Sequence, residues 1–180
     1  MMRIQSHPLA VTLVAYHHGR MDPNEGPLFT AIDHVGVAVP DLDEAIAFYA
    51  DTFGMRVLHE ETNTDQGVRE AMVGVADVAD QGTVVQLMAP LSPDSTIARF
   101  LDRSGPGLQQ LAYRVTDIEH VSAVLRARGL RLVYDEPRRG TSNSRVNFIH
   151  PKDAGGVLVE LVEPSHNRRV ADESLRREPS

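Results

Sequence analysis

The sequence contains no cysteine among its 180 residues. This absence excludes disulfide bonds, iron–sulfur clusters, zinc sites with thiolate ligands and enzymes that use a cysteine nucleophile. A chain without cysteine suits a reducing compartment, and we therefore expect a cytoplasmic protein. Its composition, with 42% hydrophobic and 24% charged residues, is that of a globular domain with a sizeable core.

Long hydrophobic runs and basic clusters are also missing. The longest apolar stretch near the N-terminus, residues 9–15, is too short to cross a bilayer and lacks the cleavage site of a secretory signal. Acidic residues outnumber basic ones, 25 to 18, which leaves a net charge of −7 and no Lys/Arg run in the body of the chain. We therefore expect neither nucleic acid nor a membrane surface as a partner.

The common nucleotide-binding and hydrolase motifs are absent as well. The sequence has no Gly-x-Gly-x-x-Gly, no Walker loop, no Gly-x-Ser-x-Gly and no His-Glu-x-x-His. Nucleotide hydrolysis and serine-triad chemistry therefore have no support in the sequence.

The sequence does contain an internal repeat. Residues 32–39, followed by Asp41, resemble residues 108–115, followed by Asp117, with each residue 76 positions after its counterpart. Each of these alternating, strand-like runs leads into apolar residues at helical spacing. Asp41 is placed to cap the first helix and Gly54 to end it. The repeat predicts an α+β fold of two βαβββ modules that form a curved mixed sheet with a cleft.

The ends of the repeats define a predicted division of the chain. A linking helix is expected between the modules because Ser92 and Pro93 form a typical helix start. The terminal residues lack clear periodicity and are expected to be mobile. The predicted parts are an N-terminal extension 1–28, a single domain 29–164 with modules 29–90 and 107–164 and linker helix 92–104, and a tail 165–180.

Four polar residues interrupt the apolar faces of predicted strands. Residues two apart on a strand share a face, so His34, Glu70, Gln86 and Glu160 point the same way as apolar neighbours. An isolated buried polar group costs about 1–3 kcal/mol, so these groups should meet one another, a cation or water. Taken alone, a histidine or glutamine on a strand is more often a hydrogen-bonded structural residue than a ligand, and a strand glutamate often faces solvent.

The repeat strengthens the interpretation of these residues as ligands. It makes His34 equivalent to Gln110, and it aligns residues 84–90 with 158–164, so that Gln86 is equivalent to Glu160. Four potential ligands are thereby placed symmetrically across the cleft between the modules.

At these residues the sequence resembles the vicinal oxygen chelate superfamily and, within it, the methylmalonyl-CoA epimerases. The likeness extends from about residue 32 to residue 163, and the motifs at residues 66–72 and 86–96 are the more specific to the epimerases. The motifs that carry it are Ile-Asp-His-Val-Gly-Val-Ala-Val at 32–39, Gln-Gly-Val-Arg-Glu-Ala-Met at 66–72, Gln-Leu-Met-Ala-Pro-Leu-Ser-Pro-Asp-Ser-Thr at 86–96, Tyr-Asp-Glu-Pro-Arg-Arg-Gly at 134–140 and Asn-Phe-Ile-His-Pro-Lys at 147–152.

The resemblance implies the vicinal oxygen chelate fold and a divalent cation: cobalt, manganese, magnesium or zinc. The implied metal ligands are His34, Gln86, Gln110 and Glu160. Where the family reads Gly-Leu-His-His, this chain reads Gly-Leu-Gln-Gln at 107–110, so a carboxamide replaces one imidazole. A neutral carboxamide oxygen is a weaker ligand than imidazole for borderline metals.

The resemblance also implies a function. It predicts an isomerase that inverts the 2-carbon of a 2-alkylmalonyl-CoA thioester by metal-assisted enolate formation, with Glu70 and Glu160 as the two acid/base residues. The implied partner is a small acyl-CoA thioester, and a homodimer is expected. The alternative is a repurposed relative with an altered metal site, either an enzyme of a secondary pathway or a small-molecule binding protein.

Overall fold

The computed structural model describes residues 26–75 and 84–165. Most of the two predicted mobile ends, 1–28 and 165–180, lies outside these residues. The strands are β1 Ala31–Ala38, β2 Arg56–Asn63, β3 Val68–Gly74, β4 Val84–Pro90, β5 Gly107–Arg114, β6 Arg138–Arg139, β7 Arg145–Ile149 and β8 Leu158–Glu163, and the helices are α1 Leu42–Phe53, α2 Thr96–Ser104 and α3 Ile118–Ala127. Within the described ranges, no helix is long and apolar enough to cross a membrane.

Helix α1 begins and ends where the sequence predicts. The Asp41 side chain accepts a hydrogen bond from the Glu44 backbone N–H at 3.0 Å, which satisfies one of the free N–H groups of the first turn. Gly54 ends the helix in the left-handed conformation, with φ 67°, where a side chain would be strained. Both predicted ends of this helix are confirmed.

The predicted start of the linking helix is wrong. Helix α2 begins at Thr96 because the Ser95 hydroxyl accepts from the Ala98 N–H at 3.0 Å and is therefore the cap. The Ser95 N–H itself bonds to the Ser92 carbonyl at 3.1 Å, so Ser92 and Pro93 belong to a turn before the helix.

The eight strands form one curled mixed sheet in the order β2-β3-β4-β1-β5-β8-β7-β6. Strand β1 is parallel to β4, and β5 is parallel to β8, while the two modules join edge to edge through the antiparallel pair of β1 and β5. This symmetric order confirms the predicted fold of two βαβββ modules. The residue bounds of the modules stay a prediction.

Helices α1 and α3 cover the outer face of the sheet. Leu42 of α1 packs with Leu87 of β4, and Ile118 of α3 packs with Leu161 of β8. Because side chains alternate along a strand, the residues next to Leu87 and Leu161 point to the inner face of the curl. The helices thereby determine which strand residues face the cleft.

Gly36 provides space on the inner face. A Cβ at this position would overlap the Gln110 Cγ and lie 2.9 Å from the Met88 Cε, so a side chain at position 36 would displace Gln110. The equivalent residue of the second module, Ala112, is fully buried and also small.

We expect Gly36→Ala to lower the free energy of unfolding by about 1–3 kcal/mol, the usual range for overpacking a filled core. Urea unfolding of the variant and the native chain measures the change. Gly26→Ala is the matched control, because nothing lies within 4 Å of a Cβ there. Equal unfolding energies for the two variants would mean that Gln110 moves aside without cost.

Candidate active site

The register of the central strands brings the predicted ligands together in two rows across the sheet. In each row, two long polar residues flank one small residue, so their side chains converge above it. The first row contains Gln86 of β4, Gly36 of β1 and Gln110 of β5, and the second contains His34 of β1, Ala112 of β5 and Glu160 of β8.

All five predicted site residues are buried. Glu70 of β3 faces the same cluster, since it pairs with Met88 on β4, two residues from Gln86. The exposed fractions are 2% for His34, 1% for Glu70, 3% for Gln86, 5% for Gln110 and 5% for Glu160. Charged groups are rarely buried this deeply unless they are paired, so the contacts among them decide what the cluster can do.

The two glutamine carboxamides link the two carboxylates. Gln110 Nε2 donates to Glu160 Oε2 at 2.6 Å and to Gln86 Oε1 at 3.2 Å. Gln86 Nε2 then donates to Glu70 Oε2 and to the Thr141 hydroxyl, both at 2.9 Å. A continuous hydrogen-bonded chain therefore runs across the sheet from Glu160 to Glu70.

Glu70 has the properties of a base. Burial raises the pKa of its carboxyl, the nearby Glu61 and Glu160 charges raise it further, and the pKa reaches about 7 although a bond from Thr141 opposes the shift. Thr141 Oγ1 donates to Glu70 Oε1 at 2.7 Å and holds the carboxyl in place. A carboxyl with a pKa near neutrality both takes up and releases a proton at physiological pH.

Thr141 is the contact that sequence analysis missed. It opens a short 3-10 turn, Thr141–Asn143, in which Ser142 and Asn143 have the left-handed φ values 55° and 58°. Such conformations are costly for residues other than glycine, and the Ser142 N–H is held by Glu61 Oε2 at 3.2 Å. The sequence marks a turn here but carries no signal of what the turn faces.

The His34 ring lies between two carboxylates. Its Nδ1 is 3.1 Å from Asp33 Oδ1, and its Nε2 is 3.0 Å from Glu160 Oε2. Burial alone would lower the pKa of His34, but the charges of Glu160 and Asp33 outweigh it and raise the pKa to about 9. Each ring nitrogen therefore lies within contact distance of a carboxylate oxygen.

This donor set fits a hard divalent cation. Among residues 26–75 and 84–165, no three His, Cys, Asp or Glu side chains are grouped to hold a metal. The cluster instead offers His34 Nε2, one carboxylate and two carboxamides, and oxygen ligands favour magnesium or manganese. Gln110 turns its Nε2 toward Glu160, so a half-turn of its carboxamide is needed to present the oxygen.

A cleft of about 230 Å³ reaches the cluster at Gln110. Of the predicted site residues, Gln110 is the one that lines this cleft, and it therefore lies between the cleft and the buried carboxylates. Most of the remaining walls are apolar, which suits a small acyl group. The cleft is lined by Asp65, Gln66, Val68, Met88, Thr96, Ile97, Gln109, Gln110, Val133, Tyr134, Phe148 and Leu158.

Comparison with known proteins identifies the family of this chain. The sequence profile of the Glyoxalase/Bleomycin resistance protein/Dioxygenase superfamily matches residues 33–148. The chain is 57% identical to the crystal structure of methylmalonyl-CoA epimerase from Mycobacterium tuberculosis, with a TM-score of 0.73 over 79% of this chain and 93% of that one. The chain belongs to the methylmalonyl-CoA epimerase family.

Two further epimerases of this family are similar. The ethylmalonyl-CoA/methylmalonyl-CoA epimerase of Cereibacter sphaeroides is 36% identical over 132 residues, which cover 72% of this chain and 95% of that protein. A methylmalonyl-CoA epimerase solved in complex with methylmalonyl-CoA and NH4+ is 44% identical, with a TM-score of 0.72 over 77% of this chain and 96% of that one. The predicted superfamily and the predicted isomerase class are both confirmed.

We expect Glu70→Gln to raise the free energy of unfolding at pH 8 relative to the native chain, with little difference at pH 5. In the folded chain the pKa of Glu70 lies above its ordinary value of 4.5. The stability that the neutral Glu70 carboxyl contributes is therefore present below about pH 4.5 and is lost as the pH rises through 7. Glutamine stays neutral throughout. The gain is on the order of 1–3 kcal/mol, as measured by urea unfolding at the two pH values.

Glu60→Gln is the control for this experiment. Glu60 lies on neighbouring strand β2, but its side chain is 38% exposed and pairs with Arg69 on the outer surface. The same pH dependence in both variants would contradict a buried Glu70 that is neutral at low pH.

Proposed function

We propose that this chain inverts the C2 centre of a 2-alkylmalonyl-CoA thioester, with methylmalonyl-CoA as the first candidate. The observation that carries the proposal is the Glu70 carboxyl, which is almost completely buried, hydrogen-bonded at both oxygens and has a pKa of about 7. The methylmalonyl-CoA and ethylmalonyl-CoA named for its relatives support the substrate class. A binding protein would have no use for such a base.

The proposed reaction needs two proton-transfer groups on opposite faces of the substrate. Glu70 takes the proton from C2, and the electron pair of the broken C–H bond moves toward the thioester oxygen to form an enolate. Glu160, the second acid/base residue, gives a proton to the other face of C2. The Gln110 amide, at 2.6 Å from Glu160 Oε2, holds this second carboxyl in position.

We propose that His34, Gln86, Gln110 and Glu160 hold a divalent cation. The convergence of these side chains supports this set, because His34 Nε2 and Gln110 Nε2 lie 3.0 Å and 2.6 Å from the same Glu160 oxygen. When bound, a divalent cation supplies positive charge where the enolate develops negative charge. The oxygen-rich donor set favours magnesium or manganese over zinc or cobalt.

The malonyl end of the substrate is proposed to enter the cluster beside Gln110, where the cleft meets it. The CoA portion then extends away from the buried carboxylates toward solvent.

We further propose that the enzyme is a cytoplasmic homodimer. Light scattering of the purified chain tests the dimer.

We expect the native chain to incorporate deuterium from D₂O into C2 of methylmalonyl-CoA. Mass spectrometry measures this exchange with and without added Mn²⁺. Glu70→Gln should slow this exchange by about 10²–10⁴, the usual contribution of a general base, while it leaves metal affinity intact. Glu60→Gln, on the outer surface, should exchange at the native rate.

Undiminished exchange in Glu70→Gln would mean that a residue other than Glu70 removes the proton. Absence of exchange in the native chain, with and without metal, would overturn the proposed reaction.

We expect Gln110→His to bind Co²⁺ and Zn²⁺ more tightly than the native chain, because imidazole is a better ligand for these metals than a carboxamide. Calorimetric titration with Co²⁺, Zn²⁺ and Mn²⁺ measures the change in preference. Equal affinities in both proteins would mean that residue 110 does not touch the metal. Tighter binding without faster exchange would mean that the metal does not limit catalysis.

A further inference from the structure

Asp33 and His34 are consecutive residues of β1, and both are buried, each 2% exposed. In a regular strand, neighbouring side chains point to opposite faces. Here the pairing of β1 with β5 shifts register between Ile32, which pairs with Tyr113, and His34, which pairs with Ala112. Asp33 is the extra residue of a β-bulge, and a bulge redirects the side chains beside it.

The bulge brings the Asp33 carboxylate to the back of the His34 ring. Asp33 Oδ1 lies 3.1 Å from His34 Nδ1, and the Asp33 side chain has no exposed surface. Its second oxygen, Oδ2, accepts a hydrogen bond from Arg114 Nε at 2.8 Å. The carboxylate is thus held from β5 while it contacts the ring nitrogen that faces away from the cluster.

We infer that Asp33 is a positioning residue that keeps a proton on His34 Nδ1 and orients the ring so that Nε2 faces Glu160 and the cluster. The inference rests on the proposed role of His34 as a metal ligand. A ligating histidine commonly donates its other N–H to a carboxylate, which fixes both the orientation of the ring and the nitrogen that binds. Nothing in the resemblance or in the strand alternation assigns this role to Asp33.

The second module lacks this device. Gln109 occupies the position equivalent to Asp33, and its Oε1 is buried without a hydrogen-bond partner within the described residues. A carboxylate therefore stands behind the imidazole of the first module, while the carboxamide of the second has none behind it. This asymmetry fits the chemistry, because a carboxamide carries no ring nitrogen that needs a fixed proton.

The first test is metal affinity, measured by calorimetric titration with Mn²⁺. Asp33→Ala should bind Mn²⁺ about 10–100 times more weakly than the native chain, the usual effect of removing such a partner. Asp33→Asn should lose less affinity for Mn²⁺, since the Oδ1 atom of the asparagine still accepts a hydrogen bond from His34 Nδ1. Arg114→Gln is the matched control, because it removes the ion pair with Asp33 and leaves the contact with His34.

Native-like affinity in Arg114→Gln supports the inference. A loss in Arg114→Gln as large as that in Asp33→Ala would overturn it, because Asp33 would then act only by joining β1 to β5. Native affinity in Asp33→Ala would also overturn it.

The second test needs no metal and separates this inference from the proposed function. An Nδ1–H held by a buried carboxylate gives a low-field, slowly exchanging proton resonance, which ¹⁵N labelling of histidine and its loss in His34→Gln would assign. The resonance should be present in the native chain and in Arg114→Gln, shifted in Asp33→Asn and absent in Asp33→Ala. If Asp33→Ala does not fold, the shift of the resonance in Asp33→Asn tests the positioning role.

An unchanged resonance in the Asp33 variants, or none in the native chain, would overturn the positioning role. If the native chain shows the resonance but binds no divalent metal, the proposed metal site fails while Asp33 is still shown to hold the ring.

Discussion

The antiparallel pairing of β1 with β5 is the constraint on which the rest of the site depends. It joins the two modules into one sheet, and its register sets Gly36 beside Gln110 and His34 beside Ala112. A slip of one residue would send every one of these side chains to the opposite face. The small residues at positions 36 and 112 then leave the space in which the long polar side chains converge.

Burial of so many polar groups is tolerated because they satisfy one another. The Gln86 and Gln110 carboxamides donate to the Glu70 and Glu160 carboxylates, and Thr141 adds a hydroxyl from the second module. Removal of water is also what raises the pKa of Glu70. The same burial that costs folding energy at neutral pH therefore gives this carboxyl a pKa at which it can take up or release a proton.

Gln110 places a carboxamide where the family resemblance implies an imidazole. Gln110 occupies the place that symmetry assigns to it opposite His34, and its amide already reaches both Gln86 and Glu160. One nitrogen and several oxygens form a harder set of donors than two imidazoles. Gln110 also borders the cleft, and it is the member of the buried cluster that lines it.

The sequence by itself determined the features that depend on local order: the repeat, the strand alternation that turns the polar residues inward, and the caps of α1. It failed at the start of α2, where Ser92 and Ser95, three residues apart, can both cap a helix and only the folded turn selects Ser95. Only the tertiary structure decided that Thr141 meets Glu70, 71 residues away, and that a bulge turns Asp33 toward His34. Such contacts depend on strand register and on a strained turn, and neither is encoded in the spacing of residues along one segment.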